Sequence, residues 1–207
     1  MPNESVDPYV SDAPPNEDPI ETIVKGVRRP RRRRQSLLEW LIILIVAAGV
    51  SLLLRSYVVQ TYWIPSASME PTLMIGDHVL VSKLSVTLGS IHRGDVVVFR
   101  APQAAHIACQ DNLPVYVKRV IGLPGDRLTS RGNTIYVNGK PLAENWPHTE
   151  PLGTAIGNVT VPANSYFMMG DNHADSCDSR SWGFLKSSAI IGKVFVRIWP
   201  ISRIGFL

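Results

Sequence analysis

Cysteine and charge are both scarce in this chain, and each shortage excludes a class of protein. Only two of the 207 residues are Cys, too few for a scaffold built on disulfides. Charged residues make up 18% of the chain and hydrophobic residues 45%, a balance too apolar for a disordered protein. The length fits one domain of roughly 100–200 residues with accessory segments and argues against two full domains.

Motifs of several common enzyme classes are also missing. The sequence contains no G-x-S-x-G, S-x-x-K, Walker, Rossmann or H-E-x-x-H pattern. The chemistry that these motifs support, from nucleotide binding to zinc proteolysis, is therefore not indicated. We expect no cofactor and no metal site.

The net charge of +4 is unevenly distributed along the chain. Residues 1–24 hold six acidic residues, five prolines and no basic residue, a composition typical of a disordered tail. Residues 25–34 hold seven Lys or Arg. Such a run can bind nucleic acid, but its position directly before an apolar segment favours a role in membrane topology. We predict that residues 1–35 form a disordered acidic tail with a basic cytoplasmic flank, and we expect no nucleic-acid partner.

An apolar segment at residues 36–59 is predicted to be a single transmembrane anchor. Fifteen uncharged residues lie between Glu39 and Arg55, and aromatic residues flank them. A buried core helix is an alternative, but it would not explain the preceding bases. A cleaved signal peptide is another, but no small-x-small site follows directly. By the positive-inside rule the N-terminus would be cytoplasmic, with residues 60–207 on the outer or periplasmic side of a bacterial-type inner (cell) membrane.

Residues 60–207 are predicted to form one mainly β domain. Short runs rich in β-branched residues recur, and Gly, Pro and Asn-Gly turns separate them. The runs are residues 78–83, 95–100, 114–122, 133–140, 166–169 and 192–199. Regular alternation is weak, which favours sheets buried on both faces or an irregular, barrel-like sheet. Irregular loops are expected near residues 101–113 and 143–165.

The first segment with chemical potential is YWIPSASMEPTL, residues 62–73. Ser66 and Ser68 lie between Pro65 and Pro71, in a stretch that cannot be the interior of a helix. Such a segment can hold a hydroxyl in a fixed, extended setting. On its own the signal is weak, because a serine between prolines is usually an ordinary loop residue.

The second segment is the predicted strand at residues 115–126. Alternation places Lys118 and Arg119 on opposite faces, so one of them must face the core. Burial would lower the pKa of a lysine and supply a neutral amine that can act as a general base for a serine. The alternative is an edge strand from which both basic side chains reach solvent.

The third segment, residues 169–184, is dense in polar groups. A calcium loop is excluded because the positions that need Gly and a bidentate Glu hold neither. A zinc site needs more ligands than His173 and Cys177. Two other possibilities stay open: a nucleophilic pair formed by Cys177 and His173, and a structural turn held by an ion pair between Asp178 and Arg180.

Together with the predicted anchor, these segments resemble one family. The chain is similar to type I signal peptidases, or leader peptidases, which are Ser/Lys-dyad membrane serine proteases. Residues 62–73 resemble their nucleophile box, RGDVVVF (93–99) a core strand, YVKRVIGLPGD (116–126) the lysine box, and GDNHADSCDSRSWGF (170–184) the C-terminal box. Order and spacing agree over roughly residues 36–200, which leaves the acidic tail outside the resemblance.

The resemblance implies a role for each matched residue. Ser68 would be the nucleophile and Lys118 its general base. Ser66 would donate its hydroxyl to the oxyanion, beside the backbone N–H of Ser68, and Ser176 would orient the Lys118 amine by a hydrogen bond. His173 stands where the family often has Arg and is given no role.

Three charged residues of the C-terminal box would serve as structural support. The resemblance implies an ion pair between Asp178 and Arg180, with Asp171 supporting the same box. Cys177 adjoins Ser176, which the resemblance places near Lys118, and Cys109 precedes that lysine by nine residues. Both cysteines would lie on the oxidising side of the membrane, so a disulfide between them is a hypothesis.

The implied activity is that of a membrane-bound endopeptidase. It would remove N-terminal signal peptides from exported preproteins after small-x-small sites, with the lipid bilayer and possible proximity to the export translocon as its setting. A self-cleaving repressor-type Ser-Lys protease is less favoured because such proteins are soluble and carry DNA-binding domains. A maturase dedicated to one exported substrate and a catalytically silent, membrane-tethered β interaction domain remain alternatives.

Overall fold

The computed structural model describes residues 32–87 and 91–207. The predicted disordered tail and most of its basic flank, residues 1–31, lie outside this part of the chain. The chain divides into two compact units after Ala47. The second unit contains all of the β structure that is found in the described residues.

Helix α1 spans Arg32–Tyr57 and is 26 residues long. Its side chains are exposed from residue 37 to residue 52. Within the described ranges, no helix combines the length and the apolar character that crossing a membrane requires. The predicted anchor at residues 36–59 therefore stays a prediction.

The β domain consists of two antiparallel sheets. The strands are β1 Val59–Trp63, β2 His78–Ser82, β3 Val96–Arg100, β4 Val115–Gly122, β5 Arg127–Arg131, β6 Thr134–Val137, β7 Lys140–Pro141, β8 Val159–Thr160, β9 Ser165–Met169, β10 Leu185–Lys186, β11 Ile190–Trp199 and β12 Gly205–Phe206. The eight-stranded sheet runs β1-β2-β11-β3-β4-β9-β10, with β12 beside β11, and the four-stranded sheet runs β7-β6-β5-β8. The prediction of a mainly β domain is confirmed. In the described residues the larger sheet follows an open path instead of closing into a barrel.

Strand β11 joins two hairpins that are separate in sequence. β1 pairs with β2, and β3 pairs with β4. β11 lies between β2 and β3 and pairs with both. The central strands β3 and β4 are almost entirely buried, as expected for strands covered on both faces.

The core comprises three buried apolar clusters. One packs around Phe99 and Trp182 on one side of the large sheet, and one around Val79 and Val98 on its other side. The third packs around Leu128 beneath the four-stranded sheet. Each cluster draws on strands that are distant in sequence, so the clusters fix the loops between those strands.

All six predicted strand runs contain strands, and the Asn138-Gly139 turn joins β6 to β7 with positive φ angles of 52° and 79°. The expected irregular loop at residues 101–113 instead contains helix α3, Gln103–Cys109. Two one-turn helices complete the α structure of the described residues: α2 at Leu84–Thr87 and α4 at Ser179–Trp182.

Candidate active site

Ser68 lies on a short 3-10 turn, Ala67–Met69, that follows β1. Met69 ends this turn and Leu73 lies four residues later. Both are buried, with 1% and 0% of their surface exposed. They pack into the cluster around Val79, which fixes the turn against the sheet. Ser68 itself is only half-buried, so its hydroxyl remains accessible from the adjacent cleft.

Lys118 approaches Ser68 from the centre of the large sheet. Its strand β4 lies between β3 and β9 and is therefore not an edge strand. Lys118 is 5% exposed and Arg119 is 6% exposed, so neither basic side chain reaches solvent. The Nζ of Lys118 is 2.5 Å from the Oγ of Ser68, across 50 residues of sequence.

Burial changes the acidity of this amine. Desolvation lowers the pKa of Lys118 from 10.5 to about 8, and the nearby carboxylates of Asp178 and Asp171 only partly oppose this shift. A substantial fraction of the amine is therefore neutral in mildly basic solution. In the structure Lys118 Nζ donates to Ser68 Oγ, and loss of a proton from the ammonium leaves a lone pair on Nζ that can accept the Ser68 hydrogen.

Ser66 and Ser176, the two other serines singled out by sequence, differ in their surroundings. The Oγ of Ser66 is exposed and 3.3 Å from the Oγ of Ser68. The Oγ of Ser176 is buried and has no hydrogen-bond partner in the described part of the chain. The expected hydrogen bond from Ser176 to Lys118 is thus not formed, and the Ser176 hydroxyl lies in the space that a Cβ on residue 170 would occupy.

Asp178 and Arg180 form a buried, bidentate ion pair. Nε and Nη2 of Arg180 donate to the two carboxylate oxygens of Asp178 at 2.8 and 2.7 Å. Asp178 also accepts the backbone N–H of Gly170 at 3.1 Å, and Arg180 donates to the carbonyl of Leu152. The pair therefore connects the end of β9, the loop after it and the region of the smaller sheet.

Asp171 has its partner on β4. Arg119 donates to both oxygens of Asp171, at 2.7 and 2.6 Å, and to the carbonyl of Gly94 at 2.6 Å. The Arg119 guanidinium lies 4.9 Å from the ring centre of Trp146. The C-terminal box is thereby joined to the strand that carries Lys118.

Sequence reasoning missed two residues that hold the Ser68 turn. The backbone N–H of Asn172 donates to the Ser68 carbonyl and its side-chain amide to the Ala67 carbonyl, both at 3.2 Å. A Cβ on Gly170 would lie 2.2 Å from the Ser68 carbonyl oxygen, so only glycine allows this approach. The Gly-Asp-Asn run at residues 170–172 was the available signal, since it combines a residue without a side chain and two hydrogen-bonding side chains.

A cleft of about 540 Å³ opens onto the Ser68–Lys118 pair. Its walls comprise Tyr62, Trp63, Ile64, Pro65, Ser66, Ala67, Ser68, Met69, Cys109, Asp111, Leu113, Pro114, Val115, Tyr116, Val117, Lys118, Asp175 and Cys177. Most of these side chains are apolar, and two backbone segments, residues 62–69 and 113–118, border the cleft. An extended peptide fits between such segments.

The disulfide predicted between Cys109 and Cys177 is confirmed, with 5.7 Å between the two Cα atoms. Cys177 is therefore not a free thiol, which removes the alternative of a Cys177–His173 nucleophile pair. His173 is 3% exposed, and its Nε2 lies 3.3 Å from the carboxylate of Glu144.

Comparison with known proteins identifies a family and several relatives of this chain. A family model described as "Signal peptidase, peptidase S26" matches residues 37–199. A probable signal peptidase I-2 from Synechocystis sp. is 37% identical over 186 residues, covering 87% of this chain and 84% of that protein. A signal peptidase I from Bacillus caldolyticus is 38% identical over 176 residues, covering 78% of this chain and 91% of that protein.

Among solved structures, a signal peptidase I from Enterococcus faecalis is 31% identical, with a TM-score of 0.41 over 50% of this chain and 96% of that chain. The family model alone covers well over half of the present sequence. The two relatives extend the similarity over most of their own length. The chain belongs to the signal peptidase family, peptidase S26.

Proposed function

We propose that this protein is an endopeptidase that removes N-terminal signal peptides from exported preproteins, with Ser68 as nucleophile and Lys118 as general base. The observation that carries the proposal is the 2.5 Å separation of Lys118 Nζ and Ser68 Oγ at the wall of a peptide-sized cleft. The family membership supports the same activity.

The two side chains can perform both halves of the hydrolysis. The neutral amine of Lys118 takes the Ser68 proton as Oγ attacks the scissile carbonyl carbon, and the resulting ammonium returns a proton to the leaving amine. A water molecule then attacks the acyl-enzyme, with Lys118 again accepting and returning a proton. The lowered pKa of Lys118 suits this cycle because its neutral form is available near physiological pH.

The oxyanion is stabilised by two donors beside the nucleophile. The Ser68 N–H lies in the first turn of the 3-10 helix, where backbone N–H groups lack an intrahelical partner. The Ser66 hydroxyl is close enough to point at the same oxygen. Replacing Ser66 by Ala is expected to lower kcat by about 10²–10³ with little change in KM. An equal loss of activity in Ser66→Thr would contradict the oxyanion role and favour simple packing.

The cleft supports cleavage after small-x-small sites. Its apolar walls, among them Ile64 and Val115, offer shallow contacts to small side chains of an extended peptide. Adjacent side chains of such a peptide point to opposite sides, so the first and third residues of the site would face the same wall. The residue between them would face away from that wall.

Cleavage of a preprotein by the purified, detergent-solubilised chain tests the proposal. Wild type is expected to release the signal peptide, whereas Ser68→Ala and Lys118→Ala are expected to be inactive but folded, as judged by circular dichroism. Substantial turnover by either variant would contradict the proposed pair. Failure of wild type to cleave any preprotein would favour the alternative of a silent interaction domain, and cleavage of one preprotein alone would favour a dedicated maturase.

We also propose attachment to the bacterial cell membrane through residues 36–59, with a cytoplasmic N-terminus and the β domain outside, near the export translocon. The uncharged run at residues 40–54 and the seven preceding bases support this placement. Exposed aromatic side chains on the large sheet, Trp63 and Trp199, are additional apolar surface for lipid.

Carbonate extraction and protease protection test this placement. The full chain is expected to stay in the membrane pellet, with its β domain digested only from the outer side. Release by carbonate would contradict the anchor, and digestion of the β domain from the cytoplasmic side would contradict the orientation. Crosslinking in cells would test proximity to the translocon.

A further inference from the structure

The wall of the cleft opposite the Ser68 turn is formed by a segment outside the recognised motifs. Helix α3 and the residues after it place Cys109, Asp111 and Leu113 on the cleft. The disulfide to Cys177 fastens this segment to the loop that follows β9. Residues that do not carry the proposed chemistry thus line the same cleft as the nucleophile.

From this wall we infer that Asp111 and Asp175 are specificity-determining residues, which favour preproteins with a basic side chain beside the scissile bond and disfavour acidic ones. The inference rests on the proposed function, because it concerns the choice of substrate at that cleft. It adds a charge preference to the preference for small residues.

Asp111 is a carboxylate held in place. Tyr116 donates its hydroxyl to Asp111 Oδ1 at 2.5 Å, and the backbone N–H of Leu113 donates to the same atom at 3.2 Å. Burial, together with this hydrogen bond, raises the pKa of Tyr116, so the phenol stays a donor and Asp111 an acceptor. The Nδ1 of His106 is 3.7 Å from Asp111 Oδ1. About a third of the Asp111 side chain, 34%, remains exposed to the cleft and solvent.

Asp175 supplies the second negative charge. It is exposed on the loop that carries Cys177, and its backbone N–H donates to the Asn172 carbonyl at 3.1 Å. Among the described residues that line the cleft, Lys118 is the third charged residue besides these two carboxylates. When Lys118 is neutral and able to act as base, the side chains of the cleft therefore carry two negative charges and no Lys or Arg charge.

That net charge acts on a bound peptide. A lysine or arginine of the substrate gains attraction in the cleft, whereas an aspartate or glutamate is repelled. Each partly exposed charge changes the binding free energy modestly, so two of them should give roughly a 10-fold preference for a basic over an acidic residue. The preference should weaken as salt is added.

The test uses three model peptides that share one small-x-small site and differ only in Lys, Gln or Glu. The variable residue is placed at the middle position of the site in one set and directly after the scissile bond in another. Full-length, detergent-solubilised wild type, Asp111→Asn, Asp175→Asn, the double variant and Glu150→Gln are compared by kcat/KM. Glu150→Gln is the matched control, since Glu150 is an exposed carboxylate that contacts Asn133 outside the cleft.

In at least one set, wild type and the control are expected to prefer the Lys peptide to the Glu peptide about 10-fold. Each single variant should reduce this ratio to about 3-fold, and the double variant to about 1-fold. Asp111→Asn keeps an acceptor for Tyr116, and Asp175→Asn changes an exposed position, so at least the second variant should fold.

Two results would overturn the inference while the proposed function stands: a Lys-to-Glu ratio near one in both wild-type sets, or an unchanged ratio in Asp175→Asn and in the double variant. Failure of wild type to cleave even the Gln peptides, with cleavage no greater than by Ser68→Ala, would instead contradict the proposed function itself.

Discussion

Lys118 and Arg119 are neighbours on β4, yet their side chains have different surroundings on the two faces of the sheet. Both side chains are almost fully buried. Arg119 donates to a carboxylate, to one backbone carbonyl and to one side-chain hydroxyl, and it lies over an aromatic ring. Its positive charge is therefore paired with a negative one. Lys118 meets the hydroxyl of Ser68, and in the described residues no carboxylate lies within ion-pairing distance of its amine.

The difference separates two uses of a buried cation. A paired arginine stays charged at all relevant pH values and stabilises the architecture through its ion pair. A buried lysine without such a partner loses its proton easily, because water no longer solvates the ammonium. One strand thus carries a paired cation and an amine with a lowered pKa at consecutive positions.

The largest effect on activity is expected when Lys118 is replaced by arginine, the residue type at position 119. Lys118→Arg should lower kcat/KM by at least about 10⁴-fold, because a guanidinium cannot release its proton to become a base. The reverse exchange, Arg119→Lys, should leave the kcat/KM of the folded protein within about 10-fold of wild type, since Arg119 does not contact Ser68. Equal losses in the two variants would erase the proposed distinction. Single-turnover cleavage of a preprotein measures both.

Removing the partner of Arg119 should cost the most stability. Asp171→Asn leaves a buried guanidinium without a countercharge and should lower the free energy of unfolding by about 3–5 kcal/mol. Urea denaturation of the solubilised chain measures the loss. The double variant Arg119→Met/Asp171→Leu should recover most of it, because no charge is left unpaired. A loss below about 1 kcal/mol in Asp171→Asn would mean that water already screens the pair.

Replacing Lys118 should raise the free energy of unfolding instead of lowering it. The folded-state pKa of about 8 lies below 10.5, so the unfolded chain binds more protons between these values and wild-type stability rises with pH across that window. Below about pH 8, Lys118→Met should therefore be more stable than wild type by about 3 kcal/mol, and the gain should vanish as pH approaches 10.5. Urea titrations at several pH values measure this difference. A gain that does not depend on pH would contradict a lowered pKa.

The smallest of the four effects is the pH dependence of cleavage. The neutral fraction of Lys118 grows as pH rises toward its pKa of about 8. The single-turnover rate should therefore increase about 100-fold between about pH 6 and about pH 9 and then level off. Arg119→Lys should show the same midpoint, because the added lysine lies on the other face. A flat profile for wild type would argue against lysine as the base.

Much of this arrangement could be predicted from sequence. The β-branched runs identified β2, β3, β4 and β11, because buried central strands need such side chains. Alternation showed that Lys118 and Arg119 could not share a face, and the resemblance indicated which of them would meet Ser68. The Asp178–Arg180 pair lies two residues apart and needed only local reasoning.

The remainder depends on contacts that local patterns do not encode. Strand β5, Arg127–Arg131, is polar in sequence and gains its place by pairing with β6 and β8. Helix α3 is a single short stretch of seven residues within a predicted loop. The Arg119–Asp171 pair joins residues 52 apart in sequence, and the close approach of Gly170 to the Ser68 carbonyl likewise joins segments that are distant in sequence.

The position of β11 affects the order in which the large sheet can form during synthesis. Ser68 lies in the connection between β1 and β2, and the hairpin of β3 and β4 carries Lys118. β11 pairs with one strand of each hairpin and is translated after both of them. A nascent chain that has made both hairpins but not β11 therefore lacks the strand that joins them in the large sheet. The sheet that holds Ser68 beside Lys118 is therefore completed only once β11 has been translated.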